Sequence, residues 1–291
     1  MKIDLHCHTH CSDGTLSPEQ LVQLAIERGL DVLAITDHDS VAAYKDYPPG
    51  VYKSDDAQND EGLRLISGCE FSALWNGAVI HIVGLDFDLE AQQIKELNAE
   101  TAVLRDKRSQ SIAEALAKLG IEGSYEGAKR IAGDGIVGRP HFARYLVEAG
   151  VVPNEKKAFK KYLGKGKPGN TKVEWPSVEK VVDVIQSAGG VSVVAHPIHY
   201  DFTRTKLLRF FDEFKSVGGR AIEVMSGKQQ SNQVQQLIEI ANQRNLLCSQ
   251  GSDFHKPNQP WADLGNIAAL PKAAEPVWRE CKSLCNIGSL Q

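Results

Sequence analysis

The sequence has no apolar run long enough to span a bilayer, which excludes a helical membrane protein. Cysteine is sparse and unpatterned: the six residues at 7, 11, 69, 248, 281 and 285 show neither a disulfide framework nor zinc-finger spacing. They read as reduced thiols of a cytoplasmic protein, with Cys7 and Cys11 as small core or loop residues. There is no Walker-type phosphate loop and no dinucleotide fingerprint, which argues against a P-loop nucleotidase and against a nicotinamide enzyme. Met1-Lys-Ile-Asp4 runs straight into a strand pattern, so no cleaved leader is expected.

What is present is an ordinary globular composition over 291 residues, 42% apolar and 24% charged, enough for a large core and one or two domains. The net charge of −4 hides an asymmetry. Residues 105–172 carry 15 Lys/Arg against 7 Asp/Glu, a net +8, and the remainder carries 18 against 30, a net −12. An acidic body suits a multi-metal site, and a basic segment beside it suits a phosphorylated substrate.

Lys2 to Cys7 has the pattern of a short strand. Side chains alternate along a strand, so Asp4, His6 and His8 share one face. Two imidazoles two residues apart with a carboxylate behind them suit a divalent metal. Ser17-Pro18 with Gln20 is a helix start, and Asp31 to Thr36 is a buried strand delivering Asp37-His38-Asp39. Residues 45–62 are broken and are expected to be mostly loop. Strands follow at 63–67, running on to Gly68-Cys-Glu70, and at 79–85, with His81 inside. Residues 89–119 then carry a helical stripe of Ile94, Leu97, Ala102, Leu104, Ile112, Ala115, Leu116 and Leu119, followed by helical segments near 125–132, 140–149 and 155–162. From Pro176 the strand–helix alternation resumes, with strands near 191–195, 220–224 and 246–250. The last 20 residues suggest one packing helix.

The expected fold is therefore α/β: a barrel of about seven mostly parallel strands, formed by 1–89 and 173–291, with 90–172 as a basic helical insertion domain. Histidines and carboxylates recur at predicted strand ends: His6, His8, Asp13, His38, Glu70, His81, His196, Asp253 and His255. Gathering so many ionisable groups in one barrel mouth is costly unless cations compensate.

Asp4-Leu-His-Cys-His8, Ser12-Asp-Gly14, Thr36-Asp-His38, Gly68-Cys-Glu70, His81, Ala195-His-Pro197 and Ser252-Asp-Phe-His255, in this order, resemble the polymerase-and-histidinol-phosphatase (PHP) superfamily. The resemblance covers about 1–85 and 175–268. Within it the chain is similar to the 3′,5′-nucleoside bisphosphate phosphatases and to 5′-to-3′ exoribonucleases acting on short RNA, in which a helical insertion follows the His81 strand. It implies a distorted (β/α)7 barrel with three divalent ions, manganese favoured over Fe²⁺ or Zn²⁺. His6, His8, Glu70 and Asp253 would hold the first ion. Glu70 would bridge to a second on His81 and His196, and Asp13, His38 and His255 would hold the third. Asp4 and Asp37 would stand behind the ligands. The implied reaction is in-line attack on phosphorus by a metal-bridging hydroxide.

On the substrate side, Arg139 and His141 of Gly138-Arg-Pro-His141 are expected to face substrate, because Arg offers a planar fork and Pro140 can open a helix there. Ser72 is a candidate phosphate contact. His199, where relatives often carry Arg, is a candidate proton donor or phosphate contact, and Asp253 is expected to be essential to catalysis. Trp75, Trp175 or Trp261 could stack a base, although Trp is more often packing. The expected substrate is a small nucleotide or a short single strand of RNA, with no membrane and no long duplex DNA. Removal of a 3′-phosphate from a nucleoside 3′,5′-bisphosphate leads. Exoribonuclease action, histidinol-phosphate hydrolysis and a non-catalytic nucleotide-binding module are the alternatives.

Overall fold

The structure, a computed structural model, describes residues 1–53 and 62–285. Strand β1 (Ile3–Asp4) leads to helix α1 (Pro18–Glu27), which starts as the sequence dictates. The Ser17 hydroxyl accepts from the Gln20 N–H, the Gln20 side chain reaches back to the cap, and Pro18 occupies the first turn. Strand β2 (Val32–Ala34) pairs parallel with β1 and with β4 (Leu63–Ile66), and β3 (Gly50–Tyr52) pairs antiparallel on the edge. The sequence reading missed β3 inside its broken segment. Residues 54–61 of that segment, with Asp55 and Asp56, lie outside the described residues.

A second sheet runs β5 (Gly68–Trp75), β6 (Ala78–Leu85), β7 (Val191–Val194), β8 (Ala221–Ser226) and β9 (Leu247–Gly251) in that order. Glu70 was expected at the trailing end of the strand at 63–67. It stands instead inside β5, an eight-residue strand paired antiparallel with β6. The cause is local: Asn76 and Gly77 both have positive φ, 45° and 75°, the requirement of a tight hairpin turn. Pairing of β6 with β7 is also antiparallel, and β7–β8 and β8–β9 are parallel. The described strands thus form two sheets of a mixed α/β fold, with three antiparallel ladders where a mostly parallel barrel was expected.

Two seams join the sheets, one past the carboxyl ends of β1 and β9 and one where the segment after β2 meets β5. Leu5 N–H donates to Gln250 O, Asp253 N–H to His6 O and His8 N–H to Phe254 O, at 2.8–3.1 Å. Across the other seam Asp39 N–H donates to Glu70 O and Glu70 N–H to Asp37 O. Buried aliphatic residues of β1, β2, β7 and β8, including Ile3, Val32, Val193 and Ala221, lie beneath these ends. Helices α6 (Val178–Ser187), α7 (Arg204–Ser216) and α8 (Ser231–Arg244) pack outside the second sheet through Ile185, Phe210 and Leu237.

Between β6 and α6 lie α2 (Gln92–Ala117), α3 (Ser124–Ala132), α4 (Arg139–Glu148) and α5 (Glu155–Ala158), the last continuing into a π-helical turn at Phe159–Leu163. Their own core joins Ile112, Leu116, Phe142, Leu146 and Leu163. The first half of α2 packs on the body instead, through Ile94 and Leu97. The stripe of α2 differs from the expected one. Leu97, Thr101, Arg105, Ser109, Ile112 and Leu116 are buried, whereas Ala102 is exposed. A polar band within the stripe displaced the apolar reading by one register. At the C-terminal end, Val277–Arg279 and Lys282–Leu284 are separate 3-10 turns rather than one helix, and 286–291 lie outside the described residues.

Candidate metal centre

The segments that follow β1, β2, β7 and β9, together with β6, converge on Glu70 of β5, which is fully buried. Its Oε1 lies 2.8 Å from His81 Nδ1 and 2.9 Å from His196 Nε2. Its Oε2 lies 2.9 Å from His38 Nδ1, 3.3 Å from His8 Nε2 and 3.4 Å from His6 Nε2. Asp253 Oδ1 approaches His6 and His8 at 3.6 and 3.4 Å. Asp13 approaches His255 at 3.3 Å, His38 at 3.7 Å and His8 at 3.8 Å. All nine candidate ligands therefore meet in one place, although they come from strands and loops spread over 250 residues.

The donor atoms fall into four sets: His8-Asp13-His38-His255, His6-His8-Asp253, His6-Glu70-His196 and His38-Glu70-His81. The pairing differs in detail from the one the resemblance implied. His8 also reaches the Asp13 set, and His81 and His196 sit on Glu70 with different imidazole partners, His38 and His6.

A cation fits this chemistry. His6 Nε2, His8 Nε2, His38 Nδ1, His81 Nδ1, Asp13 Oδ1 and Glu70 Oε2 are buried without a hydrogen-bond partner. Several lie within ion-pair distance of one another, yet none is aligned as a donor facing an acceptor. Buried polar atoms left in that condition are rare and need an explanation; lone pairs converging on a shared divalent ion supply one. Without that ion the charges are strained. Burial, followed by the positive charge of His255, pushes the His8 pKa down to about 3. Burial takes His81 to about 4. For His255 burial acts downward, but Asp13 outweighs it and the pKa is pushed up to about 10. Glu70 and Asp13 are held well below the ordinary carboxylate range against the opposing effect of burial, by His38, His81 and His6 for Glu70 and by His255 and His38 for Asp13.

Buried acids and hydroxyls behind the candidate ligands hold them in place. Asp4 accepts from the N–H groups of Ser252 and Gly265. Asp37 accepts from Thr9 N–H and from the Ser12 hydroxyl, fixing the loop that carries Asp13. Glu223 accepts from the His6 ring and from the His196 N–H. The candidate ligands His196 and Asp253 both have positive φ, 30° and 54°, backbone strain of the kind retained at working sites.

Part of the helical segment covers this centre. Ile136 N–H donates to Cys11 O, and Arg144 donates to Asp13 O at 2.6 Å. Arg105, buried, binds Asp39 through Nε at 2.7 Å and lies against Trp175 with Arg108. Arg108 is half-buried, its Nε has no hydrogen-bond partner, and burial with the charges of Arg139 and Arg105 lowers its pKa to about 9. Arg139 is lowered too, by burial and then by Arg105, while the Asp13 carboxylate acts the other way. Three guanidiniums thus crowd together, with Asp39 as the carboxylate ion-paired to one of them.

The other expected substrate residues are placed differently from one another. The buried Ser72 hydroxyl donates to Asp39 and accepts from Arg105, so it props the guanidinium instead of standing open to a ligand. His141 is buried, and its Nδ1 accepts from the Gly138 N–H as part of the start of α4; burial lowers its pKa to about 4. His199 is exposed, with its ring stacked on His196 at 5.3 Å. Trp75 and Trp175 are packed in the interior, and Trp261 is 61% exposed. Sequence reasoning missed Asp39, Arg105, Arg108 and Glu223 as parts of the site. The available signal was an arginine at four-residue spacing inside the buried stripe of α2, and a glutamate on the inward face of a buried strand.

The PHP domain family matches residues 4–134. The chain is 41% identical to a 5′-3′ exoribonuclease of Haemophilus influenzae, over 96% of this chain and 98% of that protein. It is 35% identical to a 3′,5′-nucleoside bisphosphate phosphatase of Chromobacterium violaceum, over 97% and 96%. Among solved structures, an amidohydrolase from Chromobacterium violaceum, with sulfate bound and no metal, superposes with a TM-score of 0.87 at 34% identity, covering 98% of this chain and 97% of that one.

Proposed function

This chain belongs to the PHP domain family, and from that premise we propose that it is a metal-dependent phosphohydrolase removing the 3′-phosphate from nucleoside 3′,5′-bisphosphates. The observation that carries the reading is the pairing of two anion-attracting features of different kinds. One is the nine-residue centre around Glu70. The other is the cluster of Arg105, Arg108 and Arg139 beside it. A substrate with two phosphates uses both, one at the reacting centre and one on the guanidiniums.

Three divalent ions, manganese by preference, would be held by His6, His8, Glu70 and Asp253, by Glu70, His81 and His196, and by Asp13, His38 and His255. His8 and His38, at the borders of the sets, could serve neighbouring positions. Bound there, such ions lower the pKa of water toward neutrality and neutralise phosphate oxygens. The protein's own part is to orient and to enclose. Glu70 fixes the spacing of five imidazoles, and Asp13 gathers three more contacts. Arg139, with Arg108, binds the second phosphate and sets which ester faces the centre. His199, exposed beside His196, donates a hydrogen bond to the phosphate or the leaving oxygen. Residues 90–172 act as a basic helical cap on a body formed by 1–89 and 173–291. Asp253, which reaches both His6 and His8, is essential to turnover.

The second reading, 5′-to-3′ hydrolysis of short RNA in the same site, is favoured by the higher identity to the exoribonuclease relative. The guanidinium cluster would then receive the terminal phosphate of the strand. Manganese-loaded protein incubated in parallel with adenosine 3′,5′-bisphosphate and with a 5′-phosphorylated RNA trimer separates the two. Inorganic phosphate from the bisphosphate is expected. Mononucleotides from the trimer establish the second activity, and absence of both products removes the proposal.

A further inference from the structure

The carboxylate of Glu223 is 2% exposed and belongs to none of the four donor sets. It sits on β8 at a register shift between Glu223 and Met225, an irregularity that re-aims side chains. Its two oxygens lie 3.1 and 3.2 Å from His6 Nδ1, and Oε2 also accepts the His196 N–H at 2.6 Å. One buried carboxylate therefore holds two ligand-bearing segments from distant parts of the chain. Both of the residues it holds face Glu70: His6 through Nε2, which has no hydrogen-bond partner, and His196 through Nε2 at 2.9 Å. His196 has φ 30° and ψ 56°, a conformation that costs energy and persists only when its surroundings hold it.

From this geometry we propose that Glu223 is a positioning residue that fixes the metal-binding form of His6 and the backbone of His196. The inference rests on the reading of the centre as a metal site. A carboxylate only accepts hydrogen bonds, so the nitrogen facing it, Nδ1, must carry the proton. That leaves Nε2, on the side of Glu70 and Asp253, as the nitrogen that would give its lone pair to a divalent ion. Glutamine at this position would present an amide to at least one of its two neighbours. Facing His6, the amide donates to Nδ1 and moves the proton to Nε2, closing that ligand. Facing His196, it sets a donor against the N–H and leaves the strained backbone unsupported.

The test compares wild type with Glu223→Gln by metal titration and by bound metal per chain after gel filtration. Glu223→Gln is expected to bind manganese about 10–100-fold more weakly, the cost typical of losing such a support, and to retain fewer ions per chain. Full metal content at unchanged affinity in a folded Glu223→Gln protein overturns the proposal. Wild type that takes up no divalent ion instead overturns the metal reading itself. Should the variant fail to fold, long-range ¹H–¹⁵N spectra of the zinc-loaded wild type decide. A proton on His6 Nδ1 is expected, and a proton on Nε2 refutes the role of Glu223.

Discussion

At the residue scale, what distinguishes this site is how differently its charged groups are compensated. Imidazoles and carboxylates around Glu70 stand within ion-pair distance but leave buried lone pairs unmatched. Arg105, by contrast, is held through Nε and Nη2 by Asp39 and Ser72. Arg108 has a buried Nε without a partner and a pKa lowered to about 9 by burial and its arginine neighbours, so an incoming phosphate relieves it. Arg108→Ala is therefore expected to raise KM for adenosine 3′,5′-bisphosphate by about 10-fold or more, corresponding to a lost charge-assisted contact of roughly 1.5–3 kcal/mol. Hydrolysis of a simple aryl phosphate should change little. Equal losses on both substrates would count against a phosphate-reading role. The same comparison applies to Arg139→Ala, the residue that the Gly-Arg-Pro-His stretch made visible.

At the element scale, the site depends on how closely β1 and β9 approach. A Cβ on Gly251 would lie 2.2 Å from His6 Cβ, 2.7 Å from His6 N and 2.9 Å from the Glu223 carboxylate. No rotamer relieves a clash with backbone, so the strands must part. Gly251→Ala should destabilise the fold by about 1–3 kcal/mol, the usual cost of overpacking. It should also weaken metal binding, because His6 lies just past β1 and is displaced with it. Denaturant unfolding with and without manganese checks both, and an unchanged metal-dependent stabilisation would contradict the second part. Elements also explain which expectations failed. The β5–β6 hairpin follows from Asn76-Gly77, a signal that was present in the sequence but was passed over in favour of a parallel rhythm. The stripe of α2 was misread because its buried face includes the polar residues Thr101, Arg105 and Ser109, which hydropathy does not mark.

At the scale of the whole molecule, burial of so many titratable groups makes the metal-free chain sensitive to pH in both directions. His8 and His81 have pKa values of about 3 and about 4, lowered from 6.5 first by burial. Unfolding lets them take up protons, so their effect is to lower stability as pH falls from 6.5 toward those values. Asp13 and Glu70, held below their ordinary 3.8 and 4.5, lose their contribution over the acid range as well. His255 works in the opposite sense. Raised to about 10, it contributes fully below 6.5 and its contribution is lost as pH rises through 10. Chelator-treated protein should therefore show its highest Tm near neutrality and a decline on either side. Saturating manganese should raise Tm most where the ligands are deprotonated. A melting temperature that rises or falls steadily from pH 4 to pH 10 in the metal-free protein would contradict this balance.

The sequence by itself determined which residues stand as candidate metal donors. The alternating pattern that begins at Lys2 put Asp4, His6 and His8 on one face, and short motifs placed His38, Glu70, His81, His196, Asp253 and His255 on predicted strands or at their ends. Such local patterns are legible because strand periodicity and turn chemistry act over a few residues. The net +8 of residues 105–172 likewise announced a basic cover beside an acidic body. Only the tertiary structure decided which donors share a set, because the distances from His38 to Asp13 and to Glu70 depend on seams between separate sheets. It also decided that Ser72 supports Arg105, that Arg108 keeps an unmatched buried donor, and that Glu223 holds His6 and His196. In each case the partner lies more than 25 residues away or is missing altogether. Neither a partner at that distance nor a missing one leaves a mark in local spacing, because both arise only when the chain excludes water from polar groups that lay far apart before it folded.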